Sequence, residues 1–145
     1  YKRQLLHHPA FEMEYENYKS RALLAAAQYG NNWVTTAAGK KFLALNYVVR
    51  ERIPSNPSNP EFRLGNALGE NYRHWFRGKF LQQCRVFFRY STKSQIIAYG
   101  WVNNDQTLRA YGSKTDAYLV FKKMLESGRV PNDWDELIAE SKRLS

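Results

Sequence analysis

Apolar residues fall at helical spacing through the first third of the chain. Phe11, Tyr15, Tyr18, Ala22, Ala25 and Tyr29 step by four and three, the stripe of a helix lying on a core. Pro9 suits its first turn, and Gly30-Asn31-Asn32 breaks it. A second stripe, Ala38, Phe42, Leu45 and Val49, predicts a helix from near Thr36 to Ile53 that Pro54 stops. The two read as a helical hairpin, leaving through a polar, proline-punctuated connector at 54–60 (PSNPSNP). A short strand is predicted ahead of them at 3–8 (RQLLHH).

The period changes from 3.6 to two in the second half. Residues 75–81, 84–90 and 95–102 are aromatic and β-branched runs bounded by short polar turns, the pattern of an antiparallel meander. A polar loop follows from Asn103 to Lys114. Thr115 is then read as the cap of a helix from Asp116 to Ser127, with Ala117, Val120, Phe121, Met124 and Leu125 inward and Gly128 ending it. The acidic stretch at 131–141 (PNDWDELIAES) predicts a final short helix anchored by Trp134 and Leu137.

Alternation sorts the meander residues by face. Trp75, Arg77 and Lys79 share one face of the first strand, and Arg85, Phe87 and Arg89 share one face of the second. Directly opposed residues of an antiparallel pair point the same way. The apolar sets must coincide, or Arg85 and Arg89 would be buried unpaired. Lys79 is therefore expected opposite Arg85, across an odd-numbered connection such as 81–83. A four-residue turn at 91–94 would put Ile97, Tyr99 and Trp101 on the core face and leave Ala98 and Gly100 beside the cations. Four cations above a small-residue floor read as a concave site for an anion. The bland alternative is polar-out alternation on a solvated sheet face.

Charge sharpens that picture. The 145 residues carry 22 Lys+Arg against 13 Asp+Glu, a net charge of +9. Residues 60–123 hold eleven basic and four acidic side chains, net +7, whereas 124–145 are net −2. Basic charge interleaved with aromatics is the composition of a nucleic-acid surface, although a merely soluble basic face has the same charge. At 17.0 kDa one domain is expected over 1–145, and 43% hydrophobic content excludes wholesale disorder. Cys84 is the lone cysteine, which excludes an internal disulfide framework and a Cys-rich zinc site. No apolar run approaches the ~20 residues of a membrane span. The chain opens at Tyr1 without a signal-like segment, and the expected compartment is the cytoplasm.

Little else in the sequence carries chemistry. His7, His8 and His74 show no metal-ligand spacing, and no Gly-rich phosphate loop is present, so no metal or nucleotide cofactor is expected. RNA cleavage needs neither. It requires the ribose 2′-hydroxyl deprotonated, the phosphorane's charge neutralised and the leaving 5′-oxygen protonated. A Lys among arginines has its pKa pushed down by like charge and can act as a base. Arginines hold phosphate and stabilise the developing charge. The segment at 107–118 (TLRAYGSKTDAY) adds Arg109, Tyr111, Lys114, Asp116 and Tyr118 to these candidates, although Thr115 and Asp116 both suit a helix cap whether or not a site exists. Trp75, His74 and Arg89 are candidates for stacking or phosphate contact.

Several stretches resemble the YhaV family of bacterial toxins: 56–69 (NPSNPEFRLGNALG), 75–91 (WFRGKFLQQCRVFFRYS) and 100–125 (GWVNNDQTLRAYGSKTDAYLVFKKML). The opening at 5–15 (LLHHPAFEMEY) and the tail at 128–141 (GRVPNDWDELIAES) are similar too. The resemblance implies membership of the RelE-like superfamily of mRNA-cleaving toxins. It implies an α/β (α+β) fold: an N-terminal helical hairpin packed on one face of a twisted antiparallel sheet of about four strands, RNA on the other face, and C-terminal helices. It also implies catalytic roles for Arg77, Lys79, Arg85, Arg109, and Tyr111 or Tyr118. RNA contacts are expected from Arg89, Trp75, His74 and Lys114. The implied reaction is 2′-hydroxyl attack on ribosome-bound mRNA, free of metal. The implied partner is an AbrB-like (PrlF-type) antitoxin that binds operator DNA, which would make a hetero-oligomer. The alternatives are a non-catalytic RNA- or DNA-binding module and a module whose basic face docks an acidic protein.

Overall fold

A computed structural model of the chain describes residues 3–144. Strand β1 (Gln4–His7) leads into helix α1 (Pro9–Tyr29), whose Pro9 opens the first turn while His8 Nδ1 accepts from the Ala10 N–H at 3.1 Å. A 3₁₀ segment, Gly30–Thr35, turns the chain into α2 (Ala37–Tyr47), where the Thr36 hydroxyl caps by accepting from the Gly39 N–H. The helix does not stop before Pro54 as expected. It continues as a π segment, Val48–Arg52, and a last turn α3 (Ile53–Ser55).

The π segment has a local cause. The Ile53 N–H bonds the Val48 carbonyl, five residues back. The Val49 carbonyl would next look to residue 54, but Pro54 has no N–H to give. The buried Tyr99 hydroxyl donates to Val49 O at 2.5 Å and satisfies it from the sheet.

The sheet has five strands among the described residues: β1, then β2 (Phe76–Phe80), β3 (Cys84–Ser91), β4 (Ile96–Val102) and β5 (Lys142–Arg143), in the order β2-β3-β4-β1-β5. Strands β2, β3 and β4 form the expected antiparallel meander. Two features depart from an antiparallel sheet of about four strands. Strand β1 pairs with β4 in parallel, and β5 adds a two-residue edge beyond β1.

Register agrees with alternation along β2 and β3: Lys79 faces Arg85, and Phe80 faces Cys84 across the three-residue turn 81–83. In β4 it holds only as far as Tyr99. Phe88 pairs with Tyr99 but Phe87 with Trp101, so Gly100 is an extra residue, a β-bulge. The bulge sends Trp101 to the face opposite the one expected.

Both faces of the sheet are covered. Phe11, Tyr15, Leu45, Val49 and Ile53 of the helical hairpin pack on Phe80, Val86, Phe88, Ile97 and Tyr99. On the other face, helices α4 (Ala117–Glu126) and α5 (Trp134–Glu140) bring Tyr118, Phe121, Met124, Leu125 and Leu137 onto Trp75, Phe87, Ala98 and Trp101. The expectation that this second face lies open to RNA is therefore corrected. Phe87 of the basic face is fully buried, stacked on Phe121 at 4.4 Å. Gly100, expected as part of a concave floor, is small for packing, since a Cβ on it would lie 2.8 Å from the Trp75 ring.

Candidate active site

With the face covered, the basic residues reach solvent at the end of the sheet, where the β2–β3 turn, the loop after β4 and the start of α4 meet. Lys79 is exposed there, and Arg85 opposite it is only 8% exposed. Arg85 Nη1 donates to the carbonyls of Gln82 (3.1 Å) and Cys84 (2.9 Å), and Nε donates to the Tyr118 hydroxyl (3.1 Å). Among the described residues none accepts from its Nη2.

Asn103, fully buried, ties this turn to the loop. Its Oδ1 accepts from the Arg85 N–H, and its Nδ2 donates to the carbonyls of Gln83 and Thr107, each at 2.9 Å. Arg109 is then pinned by its own backbone: its N–H donates to Gln83 O at 2.9 Å, and Gln83 Nε2 donates to Arg109 O at 3.1 Å. The Arg109 side chain donates to Asp116 Oδ1 at 2.6 Å. Its guanidinium lies 4.5 Å from the Tyr118 ring centroid and 5.3 Å from that of Tyr111.

Asp116, not Thr115, caps α4. Its Oδ2 accepts from the Tyr118 N–H, while Oδ1 also takes the Ala110 N–H. A carboxylate here serves the helix end and Arg109 together, which a threonine hydroxyl could not. Burial pushes the Asp116 carboxyl up, but the Arg109 hydrogen bond and the two amides outweigh it and hold it below its ordinary value. Lys79 is held below the usual lysine range, chiefly by Arg77 beside it, then by partial desolvation, Arg85 and Arg109.

Arg77, Lys79, Arg85, Arg109 and Tyr118 thus form one cluster, with Tyr111 at its lip, 93% exposed, and exposed Lys114 on the same loop. Arg77 also braces the segment just after the connector, its Nη1 donating to the carbonyls of Glu61 and Arg63. The other three expected RNA contacts gather elsewhere, around Asn132. Arg89 donates to Asn132 O at 2.7 Å and lies over the rings of Trp75 and Trp134. Trp75 Nε1 donates to Asn132 Oδ1 at 3.0 Å, and His74 Nε2 meets the same oxygen at 2.7 Å. Trp75 is fully buried, so its ring offers no face to a base. Trp75 of this group and Tyr118 of the cluster share one buried layer with Phe87 and the α4 side chains. Sequence reasoning missed Asn103 as the knot of the site; its position closing GWVN, where strand pairing ends, was the available sign.

Residues 5–142 match the YhaV toxin family, described as a toxin with endonuclease activity, of a toxin–antitoxin system. The chain is 41% identical over 136 residues to "Ribonuclease toxin YhaV" of Escherichia coli strain K12. It is equally similar to "Toxin YhaV" of Escherichia coli O6:H1 and of Escherichia coli O157:H7. Each alignment covers 92% of this chain and 88% of the relative. No solved structure gives a significant match.

Proposed function

The chain belongs to the YhaV family of toxins with endonuclease activity, and from that premise we propose that it cleaves mRNA on the translating ribosome by 2′-hydroxyl attack. The observation that carries this is the placing of Lys79 opposite Arg85, with Arg77 and Arg109 around it. Neutral Lys79 takes the 2′-hydroxyl proton, and O2′ attacks the adjacent phosphorus. The Arg85 Nη2 and Arg109 guanidinium groups neutralise the phosphorane. The P–O5′ bond then breaks, giving a 2′,3′-cyclic phosphate and a 5′-hydroxyl that takes its proton from solvent. Every charge requirement is met by side chains of the cluster, so no metal is called for.

A helix-covered sheet with a basic hairpin end is in keeping with a RelE-like toxin. The antitoxin implied by the family description is read as AbrB-like (PrlF-type), neutralising the toxin in a hetero-oligomer in the cytoplasm and carrying it to operator DNA. The test is cleavage of mRNA on programmed ribosomes kept in their own Mg²⁺, by protein first stripped of metal with EDTA and desalted, with ends mapped. Cleavage should persist, and a 2′-deoxy nucleotide at the scissile position should abolish it. Lys79→Met should lower the rate and leave RNA binding largely intact. Cleavage of the deoxy substrate would overturn the mechanism; tight binding with no cleavage of any substrate would favour a binding module.

A further inference from the structure

Beside Arg109 the cluster opens into a cleft of about 450 Å³ that the phosphate chemistry does not use. That volume falls within the range of small-ligand sites. Apolar Ala67 and Leu119 line it together with Asn66, Tyr111 and Lys122, beside Arg109, Asp116 and Tyr118 of the cluster. The exposure of Tyr111 has a backbone cause. The turn Ala110–Ser113 is closed by the Ser113 N–H on Ala110 O at 2.9 Å, with Gly112 at φ 84° in the place where such a turn needs a positive φ. Tyr111 is left at the outer corner, its ring touching little but the Arg109 guanidinium. Lys122 reaches toward the 66–69 turn, its Nζ 3.9 Å from where a Cβ on Gly69 would lie. No carboxylate among the described residues pairs with it, and none accepts from the Asn66 side-chain amide.

We propose that this cleft is a nucleotide subsite next to the scissile phosphate: a base stacks on Tyr111, Asn66 reads its edge, and Lys122 contacts the flanking phosphate. The assignment rests on the ribonuclease reading. A flat aromatic face, an amide with both donor and acceptor free, and one unpaired cation match a nucleotide better than an acidic side chain, which would need cations alone.

The test uses RNA containing a mapped cleavage position, free or on a programmed ribosome, with an abasic ribose on either side of the scissile phosphate and every 2′-hydroxyl kept. The protein should lose about ten- to a hundredfold in kcat/KM at one of the two positions. Tyr111→Ala should erase most of that difference. Asn66→Ala should keep it while flattening the preference among the four bases there, and Lys122→Gln should raise KM more than it lowers kcat. These side chains are exposed or half-buried, so the variants should fold. Equal rates on intact and abasic RNA, or an undiminished penalty in Tyr111→Ala, would overturn the subsite and leave the cleavage reading standing. Loss of inhibition by the antitoxin in variants whose cleavage is unchanged would give the cleft to the antitoxin instead. A protein that cuts no RNA in either form overturns the cleavage reading and the subsite with it.

Discussion

A guanidinium that is 8% exposed is tolerable only if its N–H groups are met, and Arg85 meets three acceptors with Nε and Nη1. On the proposed mechanism its role is double: it holds the β2–β3 turn against Tyr118 and would offer Nη2 to the phosphate. Alternation along the strand foretold the direction of this side chain, but not the Tyr118 hydroxyl above it. Arg85→Ala should abolish cleavage and also lower stability by about 2–3 kcal/mol. A urea midpoint unchanged from wild type would show that the burial carries no weight. Lys79 gives the second expectation at this scale. As the base it must be neutral, so kcat/KM should rise with pH through its pKa. Arg77 is the largest influence holding that pKa down. Arg77→Gln should therefore shift the rising limb to higher pH, toward the ordinary lysine value. A limb that stays in place would remove Lys79 from the role of base.

Elements were legible to different degrees, for physical reasons. Amphipathic stripes marked α1, α2 and α4 because burial imposes the 3.6 period directly. The odd turn 81–83 followed from refusing to bury two arginines unpaired. The parallel pairing of β1 left no trace in sequence, since nothing in four residues says which strand they will join. Thr115 and Asp116 are both able to cap, and only the position of Arg109 decides between them. The bulge was the main misreading. Gly100 looked like a small residue on an open face, whereas it shifts the register and lets the indole of Trp75 approach the backbone. A Cβ there meets Trp75 at 2.8 and 2.9 Å and Phe121 at 3.5 Å, inside a layer where both rings are fully buried. Gly100→Ala should cost about 1–3 kcal/mol through overpacking. An unaltered thermal midpoint would mean that the Trp75 ring has room to retreat.

At the scale of the whole molecule, the helical hairpin and the site stand at different places around the sheet, yet the hairpin holds the loop that carries Arg109. The Tyr18 hydroxyl donates to Asn103 O at 2.7 Å, and Asn104 Nδ2 donates to Glu14 Oε2 at 2.8 Å. Arg21 and Lys41, from the two helices, both pair with Asp105 at 2.7 and 2.6 Å. The Lys41 hydrogen bond holds the Asp105 carboxyl below its ordinary value against the opposing effect of burial, and Arg21 adds to it. A depressed carboxyl contributes stability that is present above its unfolded pKa and is lost as pH falls through the folded one. The clamp is therefore intact at neutral pH and released in acid. Both pairs are substantially exposed, and such pairs contribute under about 1 kcal/mol. Asp105→Ala should thus leave the thermal midpoint nearly unchanged. Its effect should fall on the loop: faster amide exchange over 104–114, and a severalfold lower kcat as Arg109 loses its fixed place. High salt should weaken the wild-type clamp in the same direction, because it screens exposed pairs. The variant has no charge at that position, so salt should have less left to act on. If Asp105→Ala exchanges faster in the loop but cleaves at the wild-type rate, then Gln83 and Asp116 alone fix Arg109, and the hairpin has no hold on the chemistry.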